Sequence, residues 1–178
     1  AVASDGKKYY YDNGKINTSY TGLASYQGLK YYVLAGSVQE NRTGLILYEN
    51  VWYYIRNGAV DTQYTGLALN GNWYYVKKGV VDWTFTGLVL HYGSWYYVEK
   101  GKLNWDYTGL ALNGNWYYVK KGVVDWTFTG LVLYHGSWYY VEKGKLNWDY
   151  TGLALNGSWY YVKKGVVDWT FTGLVLYY

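Results

Sequence analysis

The dipeptide Thr-Gly recurs through this sequence at intervals of 21 or 22 residues, from Thr21 to Thr172. Whole phrases return with it: "GNWYYVKKGVVDWTFTGL" occupies residues 71–88, returns unchanged at 114–131, and returns from residue 157 with Ser158 in place of Asn. A unit this short cannot bury its own faces, so its copies must stack on one another. The recurrence therefore predicts an array of about eight stacked units and excludes most ordinary globular folds.

Two unit types alternate, and the difference between them lies in one turn. In the 21-residue units two residues such as Asn70-Gly71 separate "LAL" from "NWYY", which predicts a type I′ hairpin turn. In the 22-residue units three residues intervene, as in His91-Tyr92-Gly93, which predicts a three-residue loop with a bulge. Both loops require left-handed glycines, so we expect positive φ at four positions: Gly71, Gly93, Gly114 and Gly136.

With these loops, strand pairing places Leu67 opposite Tyr74 and Ala68 opposite Trp73. Alternation then assigns two faces to each hairpin. One would carry Leu67, Leu69, Tyr74 and Val76 as a core. The other would carry Trp73 and Tyr75 beside the small residues Gly66 and Ala68. Those aromatic rings either pack against the next unit or form a partly open shelf for a ligand.

A second turn follows each long strand, for example at Lys77-Lys78-Gly79. If it also closes a hairpin, Trp73 comes opposite Trp83. The variation within the chain fits this pairing, because the unit with Lys30 at the first position has Glu40 at the second. We divide the array into residues 1–63, three divergent repeats that form a capping part, and residues 64–178, five near-identical repeats of the same solenoid.

Composition excludes several classes of function. Cysteine is absent, so there is no disulfide framework, and the net charge of +4 is too modest for a nucleic-acid footprint. No apolar run is long enough to span a membrane. The two histidines, His91 and His135, exchange places with tyrosine between copies, which does not suit a fixed catalytic base. We expect no enzyme activity, no catalytic residue, no metal and no cofactor.

The residues "GKKYYYDNGKINTSYTGL" at 6–23, and every later "GxWYYVxxG…TG" unit, resemble the cell-wall-binding repeats of bacterial surface proteins. That group includes choline-binding modules, streptococcal glucan-binding repeats and the oligosaccharide-binding repeats of clostridial toxins. The resemblance covers essentially the whole chain. It implies an all-β solenoid of β-hairpins that is secreted, attached to the bacterial cell surface and non-catalytic, with ligands held by aromatic side chains between hairpins. The first residues, "AVAS", are compatible with a processed or excised segment.

One departure bears on the ligand. Choline-binding repeats have a tryptophan after Thr-Gly, where this chain has leucine, as at Leu67 and Leu88. A cage for a quaternary ammonium needs several aromatic faces, so choline ranks below glycan as the expected ligand. Tryptophans in the second half of the units could replace the missing wall from another direction, which leaves choline open. They are Trp83, Trp105, Trp126, Trp148 and Trp169.

Two functions from different classes remain. The first is a glycan-binding module for cell-wall polymer or extracellular polysaccharide, and the second is a structural, adhesive or protein-interaction solenoid without a glycan ligand. The solenoid is expected to be a monomer or a weak homo-oligomer, and nucleic acid and membrane are not expected partners. The candidate ligand-binding residues are Trp73, Trp83, Trp95, Trp105, Trp116, Trp126, Trp138, Trp148 and Trp159, with Tyr75, Tyr97, Tyr118 and Tyr140.

Overall fold

A computed structural model describes residues 5–175 of the chain, so the "AVAS" segment and the last three residues lie outside the described part. Strands and turns make up the regular structure of residues 5–175, and no helix occurs there. In that range, accordingly, no helical segment has the length and apolar character needed to cross a membrane. The fold is an all-β solenoid of about seven to eight hairpin repeats, whose antiparallel sheet is not closed into a barrel. This confirms the predicted fold class.

Each repeat contains two long strands and one short strand. After β1 (Tyr11–Asp12) and β2 (Lys15–Ile16), the pattern long, long, short is repeated seven times. The first long strands are β3 (Gly22–Tyr26), β6 (Gly44–Tyr48), β9 (Gly66–Asn70), β12 (Gly87–His91), β15 (Gly109–Asn113), β18 (Gly130–Tyr134) and β21 (Gly152–Asn156). The second long strands are β4 (Leu29–Leu34), β7 (Val51–Arg56), β10 (Asn72–Lys77), β13 (Ser94–Glu99), β16 (Asn115–Lys120), β19 (Ser137–Glu142) and β22 (Ser158–Lys163). The short strands are β5 (Ser37–Val38), β8 (Ala59–Val60), β11 (Val80–Val81), β14 (Lys102–Leu103), β17 (Val123–Val124), β20 (Lys145–Leu146) and β23 (Val166–Val167).

The chain divides into two compact units, which are described separately. One comprises the chain up to Phe85 together with Lys100–Lys102, and the other comprises Thr86–Glu99 and the chain from Leu103 onward.

The register of the long hairpins differs by one residue from the predicted one. Leu67 pairs with Tyr75 and Ala68 pairs with Tyr74, because Gly71 alone separates the paired residues Asn70 and Asn72. In the 22-residue units the same shift arises because His91 and Ser94 pair around a loop of only two residues. Both loops are therefore one residue shorter than predicted.

The type I′ turn occurs in the other unit type from the one predicted. Tyr92 and Gly93 both have positive φ, 45° and 81°, which is the type I′ pattern, and this turn belongs to the 22-residue units. The four glycines expected to have positive φ do have it, with 66° at Gly71 and Gly114, 81° at Gly93 and 83° at Gly136. That part of the prediction is confirmed.

The shift in register changes which side chains share a face. Leu67, Leu69, Trp73 and Tyr75 lie on one face of the hairpin, and Ala68, Tyr74 and Val76 lie on the other. Both faces contribute to the core, since Leu67, Ala68 and Val76 are all buried, whereas Leu69 is exposed. The predicted division into one core face and one aromatic face was therefore wrong.

Successive repeats join through the short strand. The second turn does close a hairpin, but Val76 lies opposite Val81, one residue away from the register that would have set Trp73 opposite Trp83. The Tyr54 N–H donates to the carbonyl oxygen of Gly79 at 2.8 Å, and Val80 pairs with Tyr53 of the preceding repeat. A Cβ atom on Gly79 would lie only 2.6 Å from the carbonyl oxygen of Asp61. Glycine is needed at this turn because two backbones meet there.

Candidate functional site

Grooves between successive hairpins bring aromatic side chains together. In the groove that follows β7, Trp52 faces Tyr74 of the next repeat with the ring centroids 6.3 Å apart and the planes within 11° of parallel. The edge of Trp83 meets the same Tyr74 ring at 5.6 Å. These three rings define the Trp52 groove. Its floor is the buried cluster of Leu45, Ala68, Val76 and Val81.

The same three positions recur in the second compact unit, which comprises Thr86–Glu99 and the chain from Leu103 onward. The Trp95 groove has Trp95 and Tyr117 packed on a buried cluster that includes Leu88 and Ala111, with Trp126 edge-on to Tyr117 at 5.5 Å. Two further grooves have the same composition and are named by their first residue: the Trp116 groove (Trp116, Tyr139, Trp148) and the Trp138 groove (Trp138, Tyr160, Trp169).

The sequence analysis predicted that the second tryptophan pairs with the first one of its own repeat. The structure does not show this pairing. The short strand β11 ends at Val81, so Trp83 lies beyond the ladder and contacts Tyr74 instead of Trp73. Trp83, Trp105, Trp126 and Trp148 are 46–47% exposed, and Trp169 is 66% exposed. Each presents an open ring surface at the edge of its repeat.

The first tryptophans are less accessible. Trp73, Trp95, Trp116 and Trp138 are half-buried, while Trp159 is exposed. Trp73 lies across the hairpin from the exposed Leu69, and Trp105 meets Tyr96 edge-on at 6.0 Å.

The predicted tyrosines lie in internal stacks. Tyr75, Tyr97, Tyr118 and Tyr140 each stack on a ring from the following segment, Phe85, Tyr107, Phe128 and Tyr150 respectively, at 3.7–4.0 Å. Burial raises the pKa of Tyr75, Tyr97, Tyr118 and Tyr140, and it raises that of Tyr107 to about 12. The stack partner Tyr107 also stabilises the backbone that follows it, because its hydroxyl donates to the carbonyl oxygen of Leu110.

Sequence reasoning missed the middle tyrosine of each "WYY" triplet. Tyr74, Tyr117, Tyr139 and Tyr160 line the grooves, whereas the sequence analysis chose the third residue of each triplet. The predicted register set Tyr74 in the core beside Leu67 and Leu69, whereas the observed one pairs it with the small residue Ala68, where its ring faces Trp52 of the preceding repeat.

The first two grooves carry lysine in place of the first tryptophan. Lys8 Nζ lies 5.4 Å from the Tyr31 ring centroid and forms an ion pair with Glu40 Oε1 at 2.6 Å. Glu40 therefore pairs with Lys8 of the preceding segment and not with Lys30 of its own repeat. Lys30 Nζ lies 5.9 Å from the Tyr53 ring centroid. A cavity of about 410 Å³ adjoins the Lys8 site and is lined by Tyr10, Tyr20, Leu23 and Tyr31 among others.

The recurring aspartates cap turns. Asp125 Oδ1 accepts hydrogen bonds from the Thr127 backbone N–H at 3.0 Å and from its hydroxyl at 2.6 Å. These bonds hold the pKa of Asp125 below its usual value, and Lys120 adds a smaller contribution in the same direction. In the 22-residue units Asn147 caps the same turn by accepting from the Asp149 N–H. The repetition of Asp is therefore accounted for by local structure.

His91 is half-buried, and burial lowers its pKa. In residues 5–175 no group of three or more His, Asp or Glu side chains could hold a metal ion.

Repeated hairpins with aromatic grooves between them define a class of β-hairpin solenoid, and the family comparison specifies it. A choline-binding repeat model matches seven tandem stretches: residues 19–39, 41–61, 63–82, 84–104, 106–125, 127–147 and 149–168. The chain belongs to the choline-binding repeat family. This confirms the resemblance seen in the sequence.

Solved structures with similarity include two from Streptococcus pneumoniae. CbpJ is 27% identical over 90% of this chain and 56% of its own length, with a TM-score of 0.37. Choline binding protein F is 27% identical over 90% of this chain and 55% of its own, with a TM-score of 0.34. Alternansucrase in complex with isomaltotriose is 19% identical over 94% of this chain and 12% of its own, with a TM-score of 0.31.

The chain thus spans little more than half the length of the first two structures. At these TM-scores the superpositions carry no argument about geometry, and the family assignment rests on the repeat match. No curated protein matches the chain.

Proposed function

We propose that this chain is a non-catalytic module that binds cell-wall polymer or extracellular polysaccharide at the bacterial surface, through aromatic grooves between successive hairpins. The observation that carries the proposal is the recurrence of a half-exposed tryptophan beside a half-buried one, as with Trp126 and Trp95. Sugar rings present apolar C–H faces that stack on such rings. A solenoid that used its tryptophans only for packing would bury them more completely.

The polar surroundings suit a glycan as well. Trp126 follows Asp125, whose second carboxylate oxygen is not used by Thr127 in capping the turn, and Lys120 lies close enough to lower the pKa of that carboxyl. Carboxylate and ammonium groups beside an aromatic face can satisfy sugar hydroxyls.

We place the binding region in the later part of the array. The Lys8 and Lys30 sites lack the first tryptophan, and the positions of the second tryptophan hold Glu40 and Thr62. In these two places the chain sets its own ammonium group over the tyrosine ring. Residues 64–178, together with Trp52 of the preceding repeat, then carry the complete aromatic grooves, and the earlier repeats form a capping part.

A second candidate ligand is choline or another quaternary ammonium group. The family match favours it, and so does the Trp52 groove, where Trp83 supplies a ring in place of the tryptophan that the Thr-Gly-Leu sequence lacks. The lysine ammonium groups over Tyr31 and Tyr53 indicate that the equivalent tyrosine rings accept a cation. Choline therefore stands beside glycan as a candidate, above the rank that the sequence analysis gave it.

Isothermal titration of the full chain with isomaltotriose, with a soluble cell-wall polysaccharide and with choline chloride tests the proposal. Changing Trp105 and Trp126 together to alanine should weaken binding of the soluble polysaccharide at least tenfold, or about 1–3 kcal/mol, with circular dichroism confirming the fold. The matched control is Tyr92→Asn, which removes an aromatic ring that is 93% exposed on a turn, outside the grooves. Undiminished affinity in the double variant, or no heat with any ligand, would favour the structural solenoid.

A further inference from the structure

We propose that the grooves alternate between open ones and ones filled by a side chain of the chain itself, so that ligand stacks against Trp95 and Trp138 but not against Trp116. This inference rests on the proposed function and specifies which grooves serve it. It follows from two positions on the strand face that looks toward the preceding repeat.

The two unit types differ in the pair of first-strand residues that share a face with the groove tyrosine. In the β15–β16 hairpin, Ala111 and Asn113 lie on the same face as Tyr117. In the β18–β19 hairpin, Val132 and Tyr134 lie on the same face as Tyr139. Every 21-residue unit has Ala and Asn at these positions, as at Ala154 and Asn156. The 22-residue units from residue 43 onward have a β-branched residue and an aromatic one. The turn with the extra residue therefore comes with a bulkier groove wall.

The larger side chain of this pair, Tyr134, lies against the first tryptophan of its groove. The Tyr134 ring centroid is 5.0 Å from that of Trp116, with the planes tilted by 58°. Tyr134 belongs to the partly buried shell packed on the cluster of Leu110, Val132, Val141 and Leu146. The corresponding Asn113 is exposed, and the shell of the Trp95 groove has no residue in that place. Tyr134 thus supplies to Trp116 the ring contact that a ligand would make.

A tyrosine also occupies this position in the first compact unit. Tyr48 packs with Tyr53 and Leu23 around Ile46, Ile55 and Val60. Its ring lies so close to the preceding hairpin that a Cβ atom on Gly22 would be 2.5 Å from it. The next groove along, the Trp52 groove, has Ala68 and Asn70 at the two positions, and there Trp52 and Tyr74 face each other without an intervening ring.

The consequence is a binding period of two hairpins. From residue 64 onward the sequence itself repeats every 43 residues, because the two unit types alternate. If ligand enters only the grooves that precede a 21-residue unit, successive ligands are spaced by that longer period. The alternation of unit types then has a functional meaning, since a polymer with the matching spacing would be preferred.

Titration calorimetry on the full chain measures this as a change in the number of bound ligands. The probes are isomaltotriose and choline chloride, each titrated separately, and the ligand that binds wild type is carried forward. We expect Trp95→Ala to lower the stoichiometry by one, Trp116→Ala to leave it unchanged, and Tyr134→Asn to raise it by one. Tyr134→Asn introduces the residue that the 21-residue units already have.

The reverse variant guards against a folding defect. Asn113→Tyr places a tyrosine in the open Trp95 groove and should lower the stoichiometry by one, even if Tyr134→Asn fails to fold. A loss of one site in Trp116→Ala, equal to the loss in Trp95→Ala, would overturn the alternation while leaving the proposed function standing. Absence of heat from wild type with both probes and with the soluble cell-wall polysaccharide would overturn the proposed function and the alternation together.

Discussion

At the scale of single residues, the glycines of the two turns differ in the space around them. Gly136 and Gly122 both have positive φ, 83° and 76°. A Cβ atom on Gly136 would meet nothing within 4 Å, whereas one on Gly122 would lie 2.6 Å from the carbonyl oxygen of Asn104. The first turn therefore needs glycine only for its backbone conformation, and the second needs it for contact between two backbones as well.

This difference predicts unequal costs for the same substitution. Gly136→Ala should lower the free energy of unfolding by about 1–2 kcal/mol, the penalty for a residue with a Cβ atom in the left-handed region. Gly122→Ala should cost about 1–3 kcal/mol more, because backbone must also move. Denaturant unfolding of the two variants measures this. Equal midpoints would contradict the close approach at Gly122.

The Asp125 cap predicts a dependence on pH. Its pKa is lowered in the folded chain, so its contribution to stability is present above the unfolded pKa of about 3.9 and is lost as pH falls through the folded pKa. Asp125→Asn keeps an oxygen acceptor, as Asn147 does in the other unit type. We expect the melting temperature of the variant to fall less than that of wild type between pH 6 and pH 3. Identical acid profiles would show that Asp125 does not contribute.

At the scale of elements, two versions of one stack occur in the chain. Tyr97 stacks on Tyr107 at 3.7 Å, and Tyr118 stacks on Phe128 at 4.0 Å. Tyr107 adds a hydrogen bond to the carbonyl oxygen of Leu110, which Phe128 has no hydroxyl to make. The stack therefore tolerates loss of the hydroxyl, but the repeats that have it gain a local hydrogen bond to the backbone three residues on.

Tyr107→Phe should accordingly lower the free energy of unfolding by about 0.5–1.5 kcal/mol, the usual net contribution of one hydrogen bond. Phe128→Tyr, the reverse exchange, should not lower it, because the Tyr107 position shows that the site accommodates a hydroxyl. Chemical denaturation of both variants tests the pair. A loss in Phe128→Tyr as large as that in Tyr107→Phe would show that ring size and not the hydrogen bond decides.

The elements also show what the sequence could predict. The hairpins, the second turn and the glycine conformations follow from the repeat and from local turn chemistry, and Gly71 and Gly93 behave as expected. The strand register was not predicted correctly. A loop one residue shorter than expected shifts the pairing by one residue, and this changes which side chains of the two strands share a face. The partner of Glu40 was missed for a different reason: it is Lys8 of the preceding segment, and variation within a single repeat cannot reveal a contact between repeats.

At the scale of the whole molecule, repetition matters because each groove is small. A groove made of two tryptophans and one tyrosine offers a limited contact area, so a single site should be weak. Sites held at a fixed spacing on one array bind a polymer with a high effective concentration after the first contact. The near-identical copies from residue 64 onward suit this mode, since the copies of one unit type can accept the same ligand unit.

Removal of one groove should affect short-ligand affinity and polymer retention differently. Trp138→Ala should leave the affinity of the remaining grooves for a short ligand unchanged. Retention on the corresponding insoluble polymer should nevertheless fall by roughly tenfold or more, because one tethered contact is lost. Calorimetry with the short ligand and a pull-down with the polymer make the comparison, and Tyr92→Asn is the control. Retention that falls only in proportion to the number of grooves removed would mean that the grooves act independently, and the repeats would then add capacity without adding avidity.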